Sequence, residues 1–232
     1  EMCIRDRAIS RPTDLAIQFS VTTNSVVAEL GMVPNQPLTF ATDSKPRWED
    51  ALIAYTWDKF FKTGDSRWPA RMAMTKSATA AMTAIQRLLA EEDVTIKDFF
   101  VAGASKRGWT TWTTAAVDDR VRAIAPIVID LLNIEPSFEH HWRVYGFWSP
   151  AIQDYVDMST TDWWRSAESH ALFDLVAPLS YRDRYTMPKL ILNAAGDEFF
   201  VPTSSQFYYD KLPDEKYFCL LYTSDAADDV EC

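Results

Sequence analysis

Glycine is scarce in this chain, with six among 232 residues. That excludes the glycine-rich loops that cradle phosphates, where the backbone must approach an anion closely. Histidine is scarcer still: His140, His141 and His170 are the only three. The His140–His141 pair has no further His or Cys at ligand spacing, so neither a metal site nor a cofactor is expected. Basic residues are outnumbered, 23 against 33 acidic, for a net charge of −10. A chain of that sign is not a nucleic-acid binder, which needs clustered Lys and Arg. No apolar run of about 18 residues occurs, so no transmembrane helix is expected.

Cysteine is confined to Cys3, Cys219 and Cys232, within two unusual terminal stretches. Residues 1–7 (EMCIRDR) and 219–232 (CLLYTSDAADDVEC) read like translated adapter sequence. They are expected to be non-native tails around an authentic segment from about Ala8 to Phe218. That segment holds no cysteine, so no disulfide framework can be read. The first stretch also lacks the apolar centre of a signal peptide.

What is present is apolar and aromatic: 47% hydrophobic and 13% aromatic residues, enough for one well-buried domain. The pattern predicts a short helix over Asp14 to Asn24, capped by Thr13 or Asp14, and a buried strand over Ser25 to Leu30. Helices are expected from Arg47 to Thr63, closed by Gly64, and from Ala70 to Glu92. Strands are expected at Phe99 to Ala102, Val121 to Ile129 and Lys189 to Ala194, with a last one starting near Lys216. Strands separated by helices imply a parallel sheet. Between two of these strands, Asn133 to Tyr185 is long and rich in Trp and Tyr, which predicts a structured, lid-like insertion.

The stretch Gly103-Ala104-Ser105-Lys106-Arg107-Gly108 carries the most chemistry. A strand ends, a sharp turn places a serine at its apex, and a helix leaves. That is a nucleophile elbow, with Ser105 as the nucleophile. It departs from the common G-x-S-x-G form, since Arg107 stands where the second glycine is usual and Gly108 follows it. A serine hydroxyl needs a base, and the base an acid that orients it. In this architecture the chain order is Ser, acid, His. Asp197, in Asn193-Ala194-Ala195-Gly196-Asp197, follows a strand and is the expected acid. Asp130 and Glu198 are the competing carboxylates, and Asp197 has the alternative of capping the next helix. No histidine follows Asp197, so the base is expected beyond the authentic segment. The backbone N–H of Lys106 is the expected oxyanion donor. The glycine-rich loop that usually supplies the second donor is not recognisable before Ser25. His140, His141 and Trp148 are placed at the substrate pocket as lid residues. The alternative is a surface or structural role for the histidines, and lid core for the aromatic rings.

Several longer motifs point to one family. They are Val26-Val27-Ala28-Glu29-Leu30 with Met32 to Leu38, Glu49 to Phe60, Met74 to Ser77, Val101 to Trp112, and Gly146-Phe147-Trp148. This set resembles the PhoPQ-activated pathogenicity-related protein family across most of Ala8 to Phe218. The resemblance implies an α/β-hydrolase fold: a mostly parallel sheet with helices on both faces and a lid insertion, here truncated at both ends. It also implies export, to the periplasm or outside the cell, an upstream glycine-rich loop and a downstream histidine. It supplies no substrate.

Two functions follow as expectations. The first is a serine hydrolase acting on an ester or peptide bond of a small-molecule, peptide or carbohydrate substrate, with Ser105 and Asp197 present and the histidine outside this chain. A basic residue directly after the serine, as Lys106 is here, is also similar to glucuronoyl esterases. The second is a non-catalytic binding or signalling protein on the same scaffold.

Overall fold

The computed structural model describes residues 12–222. The chain divides into two compact units, one ending at Gly31 and one beginning at Met32.

The first unit holds helix α1, Asp14–Thr23. Thr13 caps it by accepting from the Ala16 N–H at 3.2 Å, and Asn24 ends it in the left-handed conformation with φ 49°. The stretch that follows is not the expected strand. Residues 25–30 are exposed and carry no ladder; Glu29 instead accepts from the Thr13 backbone at 3.0 Å. A short apolar run becomes a strand only where a neighbouring edge completes its hydrogen bonds, and no strand among the described residues pairs with this one.

In the second unit β1 (Leu38–Thr39) and β2 (Pro46–Arg47) form an antiparallel ribbon. That pairing delays helix α2, which begins at Glu49 rather than Arg47 and runs to Thr63. Glu49 and Asp50 sit in its first turn, where the helix dipole favours negative charge. Gly64 closes it at φ 68°, donating to the Phe60 carbonyl at 2.7 Å. Leu52 to Trp57, with Phe60 and Phe61, are buried, so α2 lies inside the unit rather than on its surface. Helix α3 (Ala70–Ala90) buries one stripe, Arg71, Met74, Thr75 and Met82.

The sheet is parallel and its strands follow chain order: β3 (Phe99–Ala104), β4 (Val121–Ile127), β5 (Lys189–Ala194) and β6 (Lys216–Leu221). With the helices packed on it, this is the α/β-hydrolase arrangement expected from the sequence. Helix α4 (Lys106–Val117) packs on β3 and β4 and is buried along almost its whole length. The expected helices on both faces are the exception: Phe100 is 62%, Leu190 41% and Tyr217 55% exposed on the opposite face, so among the described residues the helices lie mainly on one side. Strand β6 runs through Cys219 to Leu221, into the stretch expected to be a tail; the expected tail at 1–7 and the rest of the other, 223–232, lie outside the described residues, as do residues 8–11.

The insertion from Asn133 to Tyr185 is helical. It contains α5 (Ile134–Tyr145), α6 (Gln153–Asp157) and α7 (Ala167–Val176), joined by single turns of tighter helix. Helices α6 and α7 pack against α2. Aromatic pairs fix the contact, with Trp163 stacked on Phe61 at 5.4 Å and Tyr155 edge-on to Trp57 at 5.3 Å.

Candidate active site

Ser105 is the single residue between β3 and α4. Its backbone stands at φ 53°, ψ −121°. Positive φ in a residue with a Cβ costs of order 1–3 kcal/mol, and such strain concentrates at functional sites. The conformation is held from outside. The Ser105 N–H donates to the Ile127 carbonyl at the end of β4 (2.8 Å), and the Ser105 carbonyl accepts from the Trp109 N–H (3.0 Å). The hydroxyl does not cap α4 and has no hydrogen-bond partner among the described residues.

Steric demands on the turn explain the unusual spacing of its glycines. A Cβ on Gly103 would sit 2.8 Å from the Arg107 carbonyl oxygen. A Cβ on Gly108 would sit 2.8 Å from Ile129 Cγ2 and 2.9 Å from the Ile127 carbonyl oxygen. The residue that meets β4 is therefore Gly108. Arg107 points elsewhere, its guanidinium donating twice to Glu49, at 2.7 and 2.8 Å.

Lys106 opens α4, so its N–H has no acceptor within the helix and remains a donor at the positive end of the helix dipole. Its side chain is committed to an ion pair with Asp50 at 2.5 Å and a second with Glu49 at 3.2 Å. Asp50 also accepts from the Tyr155 hydroxyl at 2.9 Å, which links the elbow, α2 and the insertion. Burial alone would raise the Glu49 carboxyl, but the Arg107 and Gln36 hydrogen bonds and the Lys106 charge hold it at about 2. Arg71, 2% exposed, donates to the Lys106 carbonyl at 3.0 Å and lies over the Trp109 ring.

Above the elbow is a narrow cavity of about 10 Å³, room for about one water. Ser105, Lys106, Arg71 and Asp50 supply its polar wall; Phe138, Tyr155, Phe199 and Phe200 supply much of its apolar wall. Phe199 and Phe200 belong to the turn after β5, so the Asp197 turn borders the space above the serine.

Asp197 is 8% exposed. One oxygen, Oδ1, accepts from the N–H groups of Phe199 (2.8 Å) and Phe200 (3.0 Å). Oδ1 thus holds the turn and does not cap the next helix, which starts at Ser204, while Oδ2 makes no hydrogen bond among the described residues. Burial raises the Asp197 carboxyl, only partly opposed by those two donors. The rival acid, Asp130, is 2% exposed and follows β4. Neither of its oxygens meets a donor at hydrogen-bond geometry, although Tyr208, Asn193 and the Ser205 backbone surround it. Burial pushes its carboxyl up to about 7. Glu198 has its carbonyl, not its carboxylate, engaged, by the Ser149 hydroxyl at 2.8 Å.

None of the three histidines lines the Ser105 cavity. His141 is buried, with Nε2 accepting from the Ser149 N–H at 3.1 Å, and burial lowers its pKa so that it stays neutral. His140 meets the Thr203 hydroxyl at 2.8 Å. His140 therefore ties the insertion to the segment after Asp197, and His141 braces the insertion internally. Trp148 packs among Phe138, His141, Trp142 and Trp164, inside the insertion and outside the cavity lining. His170 pairs with Glu135 at the surface.

Sequence reasoning missed Asp50, Arg71 and Tyr155. Two signals were readable: adjacent acids at a helix start, matching the adjacent bases at 106 and 107, and an arginine on the apolar stripe of α3.

The sequence profile of the PhoPQ-activated pathogenicity-related protein family matches residues 4–225. Autocrine proliferation repressor protein A of Dictyostelium discoideum is 42% identical over 193 residues, covering 83% of this chain and 39% of that protein. This chain thus spans about two fifths of the length of that curated relative. Among solved structures, an acetyl xylan esterase from Paenibacillus sp. R4 matches with TM-score 0.48 and 14% identity, over 65% of this chain and 47% of that one. The acylaminoacyl peptidase of Pyrococcus horikoshii matches with TM-score 0.46 and 13% identity, over 67% and 23%. Overlaps so partial say nothing about chemistry.

Proposed function

The chain belongs to the PhoPQ-activated pathogenicity-related protein family, and from that premise we propose that Ser105 is the nucleophile of a serine hydrolase acting on an ester or peptide bond. The observation that carries this reading is the backbone of Ser105 at φ 53°, strained between two glycines that tolerate no Cβ. An unbonded hydroxyl in a left-handed turn, next to an unbonded N–H at a helix start, is what attack on a carbonyl needs.

In this reading Ser105 Oγ attacks the substrate carbonyl and gives its proton to a histidine supplied by a part of the whole protein outside this chain. The Lys106 N–H donates to the oxyanion. Asp197 Oδ2 holds the base in its tautomer and supports its charge when protonated. The base returns the proton to the leaving group, and water then repeats the sequence on the acyl-enzyme. The insertion closes the site with Phe138 and Tyr155. The substrate is a small-molecule, peptide or carbohydrate ester or amide, and the whole protein acts outside the cytoplasm. No helix among the described residues is long and apolar enough to cross a membrane.

The test is fluorophosphonate labelling of the whole protein, expected at Ser105 and lost in Ser105→Ala. This chain by itself is expected to turn over esters at least ~10³-fold more slowly, the cost of a missing triad member. A folded whole protein that does not label overturns the nucleophile. Fast hydrolysis by this chain, lost in Ser105→Ala, overturns the external base.

A second reading is favoured by the relative named an autocrine proliferation repressor. In it the scaffold is a non-catalytic signalling domain, and Lys106 and Arg107 matter as anchors of α2. Absence of labelling with retained cell activity would select it.

A further inference from the structure

Lys106 is held in the interior at every polar group but one. Its ammonium pairs with Asp50 at 2.5 Å and Glu49 at 3.2 Å. Its carbonyl accepts from Arg71 Nη1 at 3.0 Å and from the Thr110 hydroxyl at 3.1 Å. Only its N–H, in the first turn of α4, meets no acceptor among the described residues. Of the groups that hold it, Arg71 comes from a separate element, α3, where it is the one charged member of the buried stripe. Asp50 and the Tyr155 oxygen face its guanidinium from α2 and the insertion, and the Trp109 ring lies 4.1 Å away. Replacing a buried ion by apolar side chains of like size is often neutral or stabilising, so packing alone does not account for an arginine here. The backbone group it bonds does: the planar fork rests on the indole while one arm holds the Lys106 carbonyl.

We propose that Arg71 is a positioning residue for the reaction: by fixing the Lys106 carbonyl it sets the aim of the Lys106 N–H at the oxyanion. This rests on Ser105 being the nucleophile. The nitrogen and oxygen of one residue are at most about 3.6 Å apart, so Arg71 Nη1 lies within about 6.6 Å of the Lys106 nitrogen. With ammonium and carbonyl both anchored, Lys106 is not free to swing about its Cα, and the N–H keeps its direction before substrate arrives. A donor held in advance need not reorganise as negative charge develops on the carbonyl oxygen. The oxyanion accepts more strongly than the ester carbonyl, so the benefit falls on kcat rather than KM.

The experiment measures 4-nitrophenyl acetate hydrolysis by the whole protein, with competent serines counted by end-point fluorophosphonate labelling. Arg71→Met is expected to lower turnover per labelled serine about 10- to 100-fold, the range for a misaimed rather than deleted oxyanion donor, with KM nearly unchanged. Arg71→Lys, which keeps the charge and one donor, should recover part of that loss. A merely structural role gives the opposite pattern: fewer labelled molecules, each turning over at the normal rate. Counting only labelled serines removes any misfolded fraction, and if Arg71→Met yields none, Arg71→Lys alone decides, with a loss per labelled serine of about 10-fold expected. Unchanged turnover per labelled serine, or a loss confined to KM, overturns the positioning role and leaves the nucleophile standing. A folded, unaltered protein that does not label overturns the nucleophile and this role with it.

Discussion

Substituting Gly108 by alanine sets two effects against each other, and the structure decides which prevails. Gly108 is inside α4, where alanine is intrinsically better than glycine by roughly 1 kcal/mol. An exposed helical glycine would therefore gain from the change. At position 108 the new methyl would lie 2.8 Å from Ile129 Cγ2, 2.9 Å from the Ile127 carbonyl oxygen and 3.0 Å from the Gly103 carbonyl oxygen. Carbon atoms pack best at about 3.5–4.0 Å, so each contact is inside the repulsive wall. Two of the three are backbone atoms of β4 and β3, tied into the sheet, and cannot rotate away. Relief requires α4 to move off the sheet, which also displaces Ser105. Overpacking of this kind costs about 1–3 kcal/mol, and rigid neighbours put this case at the upper end. With the propensity gain set against it, the net expectation is a loss of about 2 kcal/mol. Urea unfolding of the chain, followed by tryptophan fluorescence, measures it as a lower midpoint at unchanged slope. A midpoint equal to or above that of the unaltered chain would refute the close approach of α4 to β4 and, with it, the explanation of the glycine spacing.

Two further outcomes test the polar structure around the elbow. Asp130 holds its proton up to about pH 7 when folded but to about 3.8 when unfolded, so between those values the folded state binds the extra proton and stability falls as pH rises. The slope approaches about 1.4 kcal/mol per pH unit, and Asp130→Asn should flatten it in urea titrations between about pH 5 and 6.5; an unchanged slope would remove Asp130 as its source. Asp50 ties Lys106 to Tyr155, so a double-mutant cycle of Asp50→Asn and Tyr155→Phe should return a coupling of about 1–2 kcal/mol, and additivity would show that the hydroxyl does not depend on the carboxylate.

Local chemistry made much of the fold readable. Strand β5 begins and ends where its apolar run does, at Lys189 and Ala194, because Pro188 precedes it and the Gly196 turn follows. Helix α2 ends at Gly64, the one residue there suited to φ 68°. The elbow was legible because a strand, a serine and two small residues can hardly be joined otherwise. Errors came where tertiary context decides. Val26 to Leu30 has strand composition but no partner edge, and Pro46–Arg47 has helical neighbours but pairs with Leu38–Thr39. His140 and His141 stood out by chemical type, and geometry gives them contacts away from the serine: His140 meets Thr203 after the Asp197 turn, and His141 accepts from Ser149 within the insertion. Arg71 was harder to read: its place on the apolar stripe of α3 was a signal, but a lone arginine in a helix normally snorkels to water, and the packed structure shows that this one does not.

The departure at Arg107 also bears on how the proposed site would work. In a G-x-S-x-G turn the residue two after the serine must be small because it meets the neighbouring strand. Here that contact falls on Gly108, which frees position 107 to carry a side chain. The chain uses the freedom for charge: Lys106 and Arg107 together face Glu49 and Asp50 at the start of α2. The elbow is thereby clamped from two sides, by β4 through the Ser105 N–H and by α2 through ion pairs. A serine already strained at φ 53° needs such a frame, since relaxation to an ordinary turn would turn the hydroxyl away from the cavity. In the proposed mechanism Lys106 contributes its backbone N–H to chemistry, while its side chain serves the structure through Glu49 and Asp50. That division makes a simple test of role possible: removing the Lys106 charge should loosen the turn without removing the oxyanion donor.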